Sequence, residues 1–223
     1  SSDVCSSDLM TNLGWDLRKS LQLNDPRVIY GISCPCCDSE NYLYYSQQIQ
    51  NPNKTFANLF VNSNHKRFVK NFLDLERDAV LITNNHGNGK IYGKLRIQQH
   101  IMLGDDAVSD WDKIGEGVIN RIVDIVKNFK NTLFVICVGP ISEVIIERLF
   151  RNNPENCYID FGSALDFITH DKATRRYYDE NSPTAAKNCW MFDPQNFRVD
   201  CDIVLTTYKR PYTLKLQIDA MEN

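Results

Sequence analysis

Residues 131–167, NTLFVICVGPISEVIIERLFRNNPENCYIDFGSALDF, decide the fold of this chain. Residues 133–138 form an unbroken apolar run of strand length, typical of a strand that is covered on both faces. The pattern then predicts a helix that begins near Ser142 and a second strand over residues 157–160. This strand, helix, strand unit predicts an α/β protein with a mostly parallel, Rossmann-like sheet and helices on both faces.

Two strand ends in this unit are candidate ligand sites, because ligands of open α/β sheets bind where strands end and helices begin. Backbone amides between Gly139 and Ser142 would suit a phosphate. The segment from Asp160 to Ser163 offers a carboxylate for a sugar hydroxyl or a metal. An ordinary crossover with a tight turn would leave the same pattern, so the unit alone predicts the fold class rather than the function.

Periodicity elsewhere predicts more strands for the same sheet and helices that cover it. The strands are expected at residues 28–32, 56–61 and 79–83, and the helices at residues 13–23, 41–49, 64–75 and 114–129. Residues 91–111 give mixed signals and predict a helix through residue 101, followed by a loop. Asp105, Asp106 and Asp110 lack the spacing of a calcium loop and are expected to be solvated acids and helix caps.

The segment SCPCCDSE places Asp38 and Glu40 two residues apart after an early strand. Two such carboxylates suit magnesium or manganese, with a bound diphosphate as the source of further oxygens. Alternatively, Asp38 caps the next helix and Glu40 favours its first turn. The neighbouring cysteines, Cys34, Cys36 and Cys37, are too crowded for the usual zinc spacing, and we interpret them as reduced structural thiols.

Two further loops carry polar side chains at predicted strand ends. In NSNHKRF, Asn64 and Arg67 stand at the start of a helix, where Arg67 could pair with a phosphate or lie on a solvated face. In NNHGNGK, the glycines indicate a tight loop or a close backbone approach to a ligand beside His86.

Composition excludes several classes of function. The chain has 223 residues, 43% of them hydrophobic and 24% charged, and a net charge of -3 without a Lys/Arg block, which argues against nucleic-acid binding. The apolar runs are shorter than the ~20 residues of a membrane-spanning helix, and no secretory signal is recognised, so a cytoplasmic location is expected. The eight cysteines are not spaced as a disulfide framework.

The ends of the chain differ from its middle. Residues 1–9, SSDVCSSDL, have no periodicity or cap and are interpreted as a foreign leader. Residues 10–195 are expected to form the main domain. The pattern of residues 196–223 predicts one strand and one helix, and this segment is expected to be the β-α start of a second domain.

The segments GISCPCCDSENY, NSNHKRF, VGPISEVIIERL and IDFGSALD together resemble the bacterial nucleotide-sugar transferases of the GT-D fold. The resemblance implies that Asp38 and Glu40 match the Asp-x-Glu metal motif of that family. This chain has CPCCDSE where many members have an Arg-Phe-Gly-Asp-Gly-Glu type run, and it has Ser163 where the Asp-Ile-Gly-His type motif has histidine. The tail CDIVLTTYKRPYTLKLQIDAM resembles the start of family 2 glycosyltransferases, with Thr206, Thr207, Arg210 and Pro211 in the matching places.

The resemblance implies a metal-dependent glycosyltransferase that moves a hexose from a nucleotide diphosphate sugar, expected to be a UDP-sugar, to a glycan acceptor. Magnesium or manganese would be held by Asp38 and Glu40, and Asp160 or Asp166 would act as the general base. Residues expected to bind the donor are Gly139, Ser142, Gly162, Ser163, Asn64 and Arg67. The alternative is a non-catalytic module that recognises a glycan or a partner, in which Asp38 is only a helix cap.

Overall fold

A computed structural model of the chain describes residues 12–35, 38–61, 64–172 and 174–175. The predicted second domain at residues 196–223 and the leader at residues 1–9 lie outside these residues. The helices are α1 (Asn12–Ser20), α2 (Ser39–Gln48), α3 (His65–Asp74), α4 (Trp111–Val126), α5 (Ser142–Asn152) and α6 (Asp166–Thr169). The strands are β1 (Tyr30–Ile32), β2 (Lys54–Phe56), β3 (Asp78–Thr83), β4 (Arg96–Met102), β5 (Leu133–Cys137) and β6 (Cys157–Asp160).

The strands form two parallel sheets. The larger sheet has the order β4-β3-β5-β6, and the smaller one pairs β1 with β2. In the larger sheet, Ile136 of β5 lies opposite Ile82 of β3 and Asp160 of β6. The predicted α/β class with parallel strands is confirmed.

Helices cover both faces of the larger sheet, because its strands are apolar on both sides. Val80, Ile82, Phe134 and Ile136 point to the face covered by α1, α4 and α5. The alternate residues, such as Leu81 and Val135, face α3, α6 and the buried Tyr92. The unbroken apolar run of β5 is thus explained by a strand that is buried on both sides.

The prediction that all strands share one sheet is wrong for the first two. β1 and β2 have three residues each and pair only with one another in the described part of the chain. The strand predicted at residues 56–61 ends at Phe56, and a 3₁₀ helix, Ala57–Phe60, follows. This turn brings the Phe60 ring to 5.1 Å from the ring of Phe161, just after β6, so the small sheet lies on the β6 side of the large one.

The helix predicted through residue 101 is also wrong, because residues 96–102 form the edge strand β4. β4 pairs with β3 in parallel and reads RIQQHIM, with Ile101 as its only buried residue. An exposed edge strand tolerates polar side chains, so its sequence lacks the apolar run that identifies β3 and β5.

None of the helices in the described residues combines the length and apolar character needed to cross a bilayer; the longest, α4, has 16 residues.

The loop between β3 and β4 requires glycine at position 93, where it passes the end of α3. Gly93 has φ +59°, and a Cβ added there would lie 2.5 Å from the Cα and the carbonyl oxygen of Leu73. The same loop is fixed by the Lys94 N–H, which donates to the Leu73 carbonyl oxygen at 3.0 Å. Neither the backbone angle nor the space allows a side chain at this position.

We expect Gly93→Ala to lower the free energy of unfolding by roughly 1–3 kcal/mol, since both the left-handed angle and the backbone contact oppose a methyl group. The matched control is Gly117→Ala in α4, where an added Cβ meets nothing within 4 Å and alanine is the better helix former. Urea unfolding of both variants is the measurement. Equal stability of the two would contradict this account of the loop.

Candidate functional site

The site lies along the edge where the four parallel strands of the larger sheet end. The connections that leave this edge are residues 84–87 after β3, 103–108 after β4, 138–142 after β5 and 160–166 after β6. Parallel pairing places all four at the same edge. Of the residues predicted from sequence, Gly139, Ser142, Asp160 and Gly162 are brought together here.

Asp160 is the best-positioned carboxylate at this edge. It ends β6, and its Oδ1 accepts a hydrogen bond from the Gly162 N–H at 2.9 Å. The hydroxyl of Ser142, a fully buried residue at the start of α5, also hydrogen-bonds to it. Burial raises the pKa of Asp160 to about 6, against the opposing effects of these two hydrogen bonds. The carboxyl group is therefore oriented from two sides and titrates near neutral pH.

Glu143 is a second acid of this group that the sequence analysis did not select. Burial of its carboxyl and the charge of Asp160 together raise the pKa of Glu143 to about 8. Glu143 as a whole residue is exposed, and solvent screens part of this shift. Because Gly162 and Ser142 stabilise the charge on Asp160, Asp160 ionises first and Glu143 keeps its proton longer.

Gly139 gives the edge an open stretch of backbone. Its φ is +67°, and a Cβ placed on it would meet nothing within 4 Å. A short 3₁₀ turn, Gly139–Ile141, follows and leads into α5. The Ser142 hydroxyl accepts from the Val138 N–H at 3.4 Å, so Ser142 binds the strand end and Asp160 rather than capping α5, whose N-cap residue is Ile141.

A cleft of about 270 Å³ opens beside Gly139, over the ends of β3, β4 and β5. It is lined by Asn84, His86, Leu103, Gly104, Asp105, Ala107, Val108, Val138, Gly139, Ile141 and His170. The rings of His86 and His170 stack with their centroids 4.7 Å apart and their planes 30° apart. The cleft thus combines apolar walls with imidazole, amide and carboxylate groups.

Asp166 lies beside His170, one of the two stacked histidines. It is 7% exposed, accepts a hydrogen bond from the Thr174 hydroxyl, and lies 3.5 Å from Nδ1 of His170. The carboxylates of Asp160 and Asp166 both act on the Cys137 thiol, whose pKa is raised by burial first and by these two charges next. Asp160 and Asp166, the two predicted general bases, therefore both lie near the end of β5. The Asp166 carboxylate, however, already accepts a hydrogen bond from Thr174 and contacts His170.

The predicted donor-binding residues of α3 approach the edge from the other face of the sheet. Nε2 of His65 donates to the Ala164 carbonyl oxygen at 3.3 Å, which holds the start of α3 over the connection after β6. Asn64 precedes this contact, and Ser163 lies within that connection. Arg67 is exposed on the first turns of α3.

Asp38 caps helix α2, which is one of the two roles predicted for it from the sequence. Its two carboxylate oxygens accept from the backbone N–H and the side-chain Nδ2 of Asn41, at 3.1 and 2.7 Å. Glu40 is exposed in the first turn of the same helix. Tyr45, two turns further along, lies within electrostatic range of both Asp38 and Glu143, so the starts of α2 and α5 lie on the same side of the molecule.

The fit of this pair to a divalent cation is partial. Asp38 and Glu40 supply the hard oxygen donors that magnesium or manganese prefers. Among the residues that the structure describes, however, no group of three His, Cys, Asp or Glu side chains could hold a metal ion. A cation here would need oxygens from its substrate. Cys36 and Cys37 lie outside the described residues, while Cys34, Cys137 and Cys157 do not form disulfides.

Sequence reasoning missed Glu143, His170 and the loop after β4. The periodicity of α5 predicts only that Glu143 lies on a helix surface. Because a helix was predicted through residue 101, the end of strand β4, which is followed by Leu103 and Asp105, was not recognised. The pairing of His86 with His170, 84 positions apart, has no signal in a single sequence.

The raised pKa values of Asp160 and Glu143 predict a dependence of stability on pH. Between the usual carboxyl range near 4 and the raised values of about 6 and 8, the folded chain binds more protons than the unfolded chain. The contribution of both groups to stability is therefore present at acidic pH and is lost as pH rises through this window. We expect Glu143→Gln to raise the Tm at pH 8 by about 2–4 °C and to leave it nearly unchanged at pH 4.

Thermal unfolding from pH 4 to pH 9 tests this expectation. Glu116→Gln, an exposed glutamate of α4, is the matched control and should parallel the unaltered chain. Parallel curves for Glu143→Gln as well would refute the interaction of Glu143 with Asp160.

Comparison with known proteins gives limited matches. No family model and no curated protein matches the chain. Two solved structures of the domain of unknown function 1792 are similar in fold, one of them described as having a distinct glycosyltransferase fold and the other selenomethionine-substituted. Each has a TM-score of 0.49 and 13% identity over 70% of this chain. The match spans 65% of the length of each of those chains, and likeness of this degree concerns the course of the backbone alone.

Proposed function

We propose that this chain is a glycosyltransferase domain that moves a hexose from a nucleotide diphosphate sugar to a hydroxyl group of a glycan acceptor. The observation that carries the proposal is the setting of Asp160. It combines a raised pKa, two orienting hydrogen bonds and the open backbone of Gly139 at one edge of a parallel sheet. Acid-base chemistry beside an anion-binding turn is what glycosyl transfer from a diphosphate requires.

In the proposed reaction, Asp160 is the general base. Its carboxylate accepts the proton of the acceptor hydroxyl while that oxygen bonds to the anomeric carbon. The bond between this carbon and the diphosphate oxygen breaks, and the diphosphate leaves with the electron pair. A base with a pKa of about 6 is largely ionised at neutral pH yet still accepts a proton readily. The Ser142 hydroxyl and the Gly162 N–H keep Asp160 in the orientation this step needs.

The donor would lie on the β6 side of Gly139, over the start of α5 and the connection after β6. Gly139 allows a phosphate to approach the backbone without a side chain in the way. Residues proposed to contact the donor are Gly139, Gly162, Ser163, Asn64 and Arg67, whereas the fully buried Ser142, also predicted as a donor contact, orients Asp160 instead. Arg67 is exposed and can offer a fork of N–H groups to a phosphate.

A magnesium or manganese ion is proposed as cofactor, held by Asp38 and Glu40. It would neutralise charge on the leaving diphosphate. Asp38 lies near Tyr45 and on the same side of the molecule as Glu143. This position supports a metal site close to the start of α5.

The first test replaces the proposed base. We expect Asp160→Asn to lower the rate of hexose transfer by about 10²–10⁴-fold, because the amide keeps the size of the side chain and cannot accept the proton. Binding of UDP, measured by calorimetry, should change little. Asp124→Asn, an exposed acid of α4, is the control. Transfer at the unaltered rate in Asp160→Asn would exclude Asp160 as the base.

The second test separates metal binding from helix capping at Asp38. Asparagine caps helices as well as aspartate does, so Asp38→Asn combined with Glu40→Gln should leave the helix intact while removing both charges. We expect transfer stimulated by manganese to be lost in this variant, while its Tm changes by less than about 2 °C. Retained stimulation would refute the metal site. Asp38→Ala is less informative, because it also removes the cap.

A non-catalytic recognition module is the second candidate, favoured by the occupation of both Asp38 oxygens within α2. It predicts no affinity for the donor. Calorimetry of the unaltered chain with UDP and manganese distinguishes the two, since the absence of binding would favour the recognition module.

A further inference from the structure

The cleft beside Gly139 is too small for a complete nucleotide sugar. Its volume of about 270 Å³ lies just under the roughly 300–1,000 Å³ typical of ligand pockets, which suits one sugar ring or one base. A nucleotide sugar bound here would have to extend beyond it.

The chemistry of the cleft walls argues against a phosphate. No lysine or arginine is among the lining residues that the structure describes, and the Asp105 carboxylate would repel an anion. A hexose would suit both the apolar and the polar residues that line the cleft. Its C–H faces can pack on apolar residues such as Val108 and Ile141, and its hydroxyls can donate to Asp105 or bond to His86.

The polar groups of the cleft are held in place before any ligand arrives. Oδ1 of Asn84 accepts from the His86 N–H at 3.2 Å, which fixes the turn that carries His86. Nδ1 of His170 lies 2.8 Å from the Thr169 hydroxyl and 3.5 Å from Asp166. Pre-ordered groups lose little entropy on binding and can discriminate between ligands.

The position of the cleft along the sheet edge decides which sugar it would hold. Asp160 ends β6, and Gly139 follows the neighbouring strand β5 and lines the cleft. The cleft lies on the β3 and β4 side of Asp160. The start of α2, where the proposed metal pair Asp38 and Glu40 lies, is on the opposite side, with β6 and the small sheet. A diphosphate bound near Asp38 and Glu40 would leave the other side of Asp160 for the acceptor, whose hydroxyl group gives up its proton.

We propose that this cleft is the acceptor subsite and that it binds an uncharged sugar ring of the glycan acceptor. The assignment rests on the proposed function. Val108 and Ile141 would contact the ring, while Asp105 and His86 would bond to its hydroxyls, and the hydroxyl to be glycosylated would face Asp160. Asp166 is then a positioning residue, because it acts by holding His170.

The test measures acceptor and donor separately on the full chain. UDP-glucose and UDP-galactose serve as donors, a series of p-nitrophenyl hexosides as acceptors, and calorimetry with UDP reports donor affinity. Val108→Trp should fill the cleft and raise the KM for acceptor by at least about 10-fold. Asp105→Asn should raise it about 3–10-fold, the effect of one weakened hydrogen bond. Affinity for UDP should stay within about twofold in both variants.

Asp106→Asn is the matched control, an exposed neighbour of Asp105 that does not line the cleft. It should leave the KM for acceptor and the UDP affinity unchanged. An unchanged KM for acceptor in Val108→Trp and Asp105→Asn would overturn the inference and leave the proposed function standing. Weaker UDP binding in either variant would overturn it too, by assigning the cleft to the donor base. If the unaltered chain neither binds UDP nor transfers hexose, the proposed function fails, and the acceptor subsite falls with it.

Discussion

The pairing of β5 along both of its edges is the constraint on which the rest of the molecule depends. Leu133–Cys137 lies between β3 and β6, in parallel with each, and four of its five residues are buried. A shift of one residue would exchange the side chains that face α5 with those that face α3, so the register is strongly fixed. The register in turn sets Asp160 opposite Ile136 and brings the four loops to one edge. The chemistry of the edge therefore follows from the packing of an apolar strand.

Acidic groups dominate this edge. Asp160, Glu143 and Asp166 lie around the end of β5, and Asp105 lines the adjacent cleft. Burial raises the pKa of both Asp160 and Glu143, and the charge of Asp160 raises the pKa of Glu143 further. The two hydrogen bonds to Asp160 stabilise its charged form, so Asp160 ionises before Glu143. Differences in local hydrogen bonding thus give similar side chains different protonation states.

The sequence predicted the centre of the fold well and its margins poorly. The strand at residues 157–160 has the predicted bounds, and β3 and β5 differ from prediction by one residue at one end, because buried parallel strands are apolar throughout. β4 was missed because half of its surface faces solvent, and β1 and β2 were assigned to the wrong sheet because three-residue strands carry no pairing information. Within the candidate site, residues near strand ends such as Gly139 and Asp160 were predictable from topology. Glu143 and the His86–His170 pair were not, because their roles arise from contacts between distant segments.

The proton that Glu143 keeps at neutral pH also links the site to its surroundings. A cationic group that approaches this carboxyl lowers its pKa, and at neutral pH a proton then leaves the protein as the ligand arrives. The heat of such an association includes the heat of ionisation of the buffer, so it differs between phosphate and Tris solutions of the same pH. The number of protons released at neutral pH, obtained from that difference, shows whether the incoming charge has reached Glu143, since Asp160 is already largely ionised there.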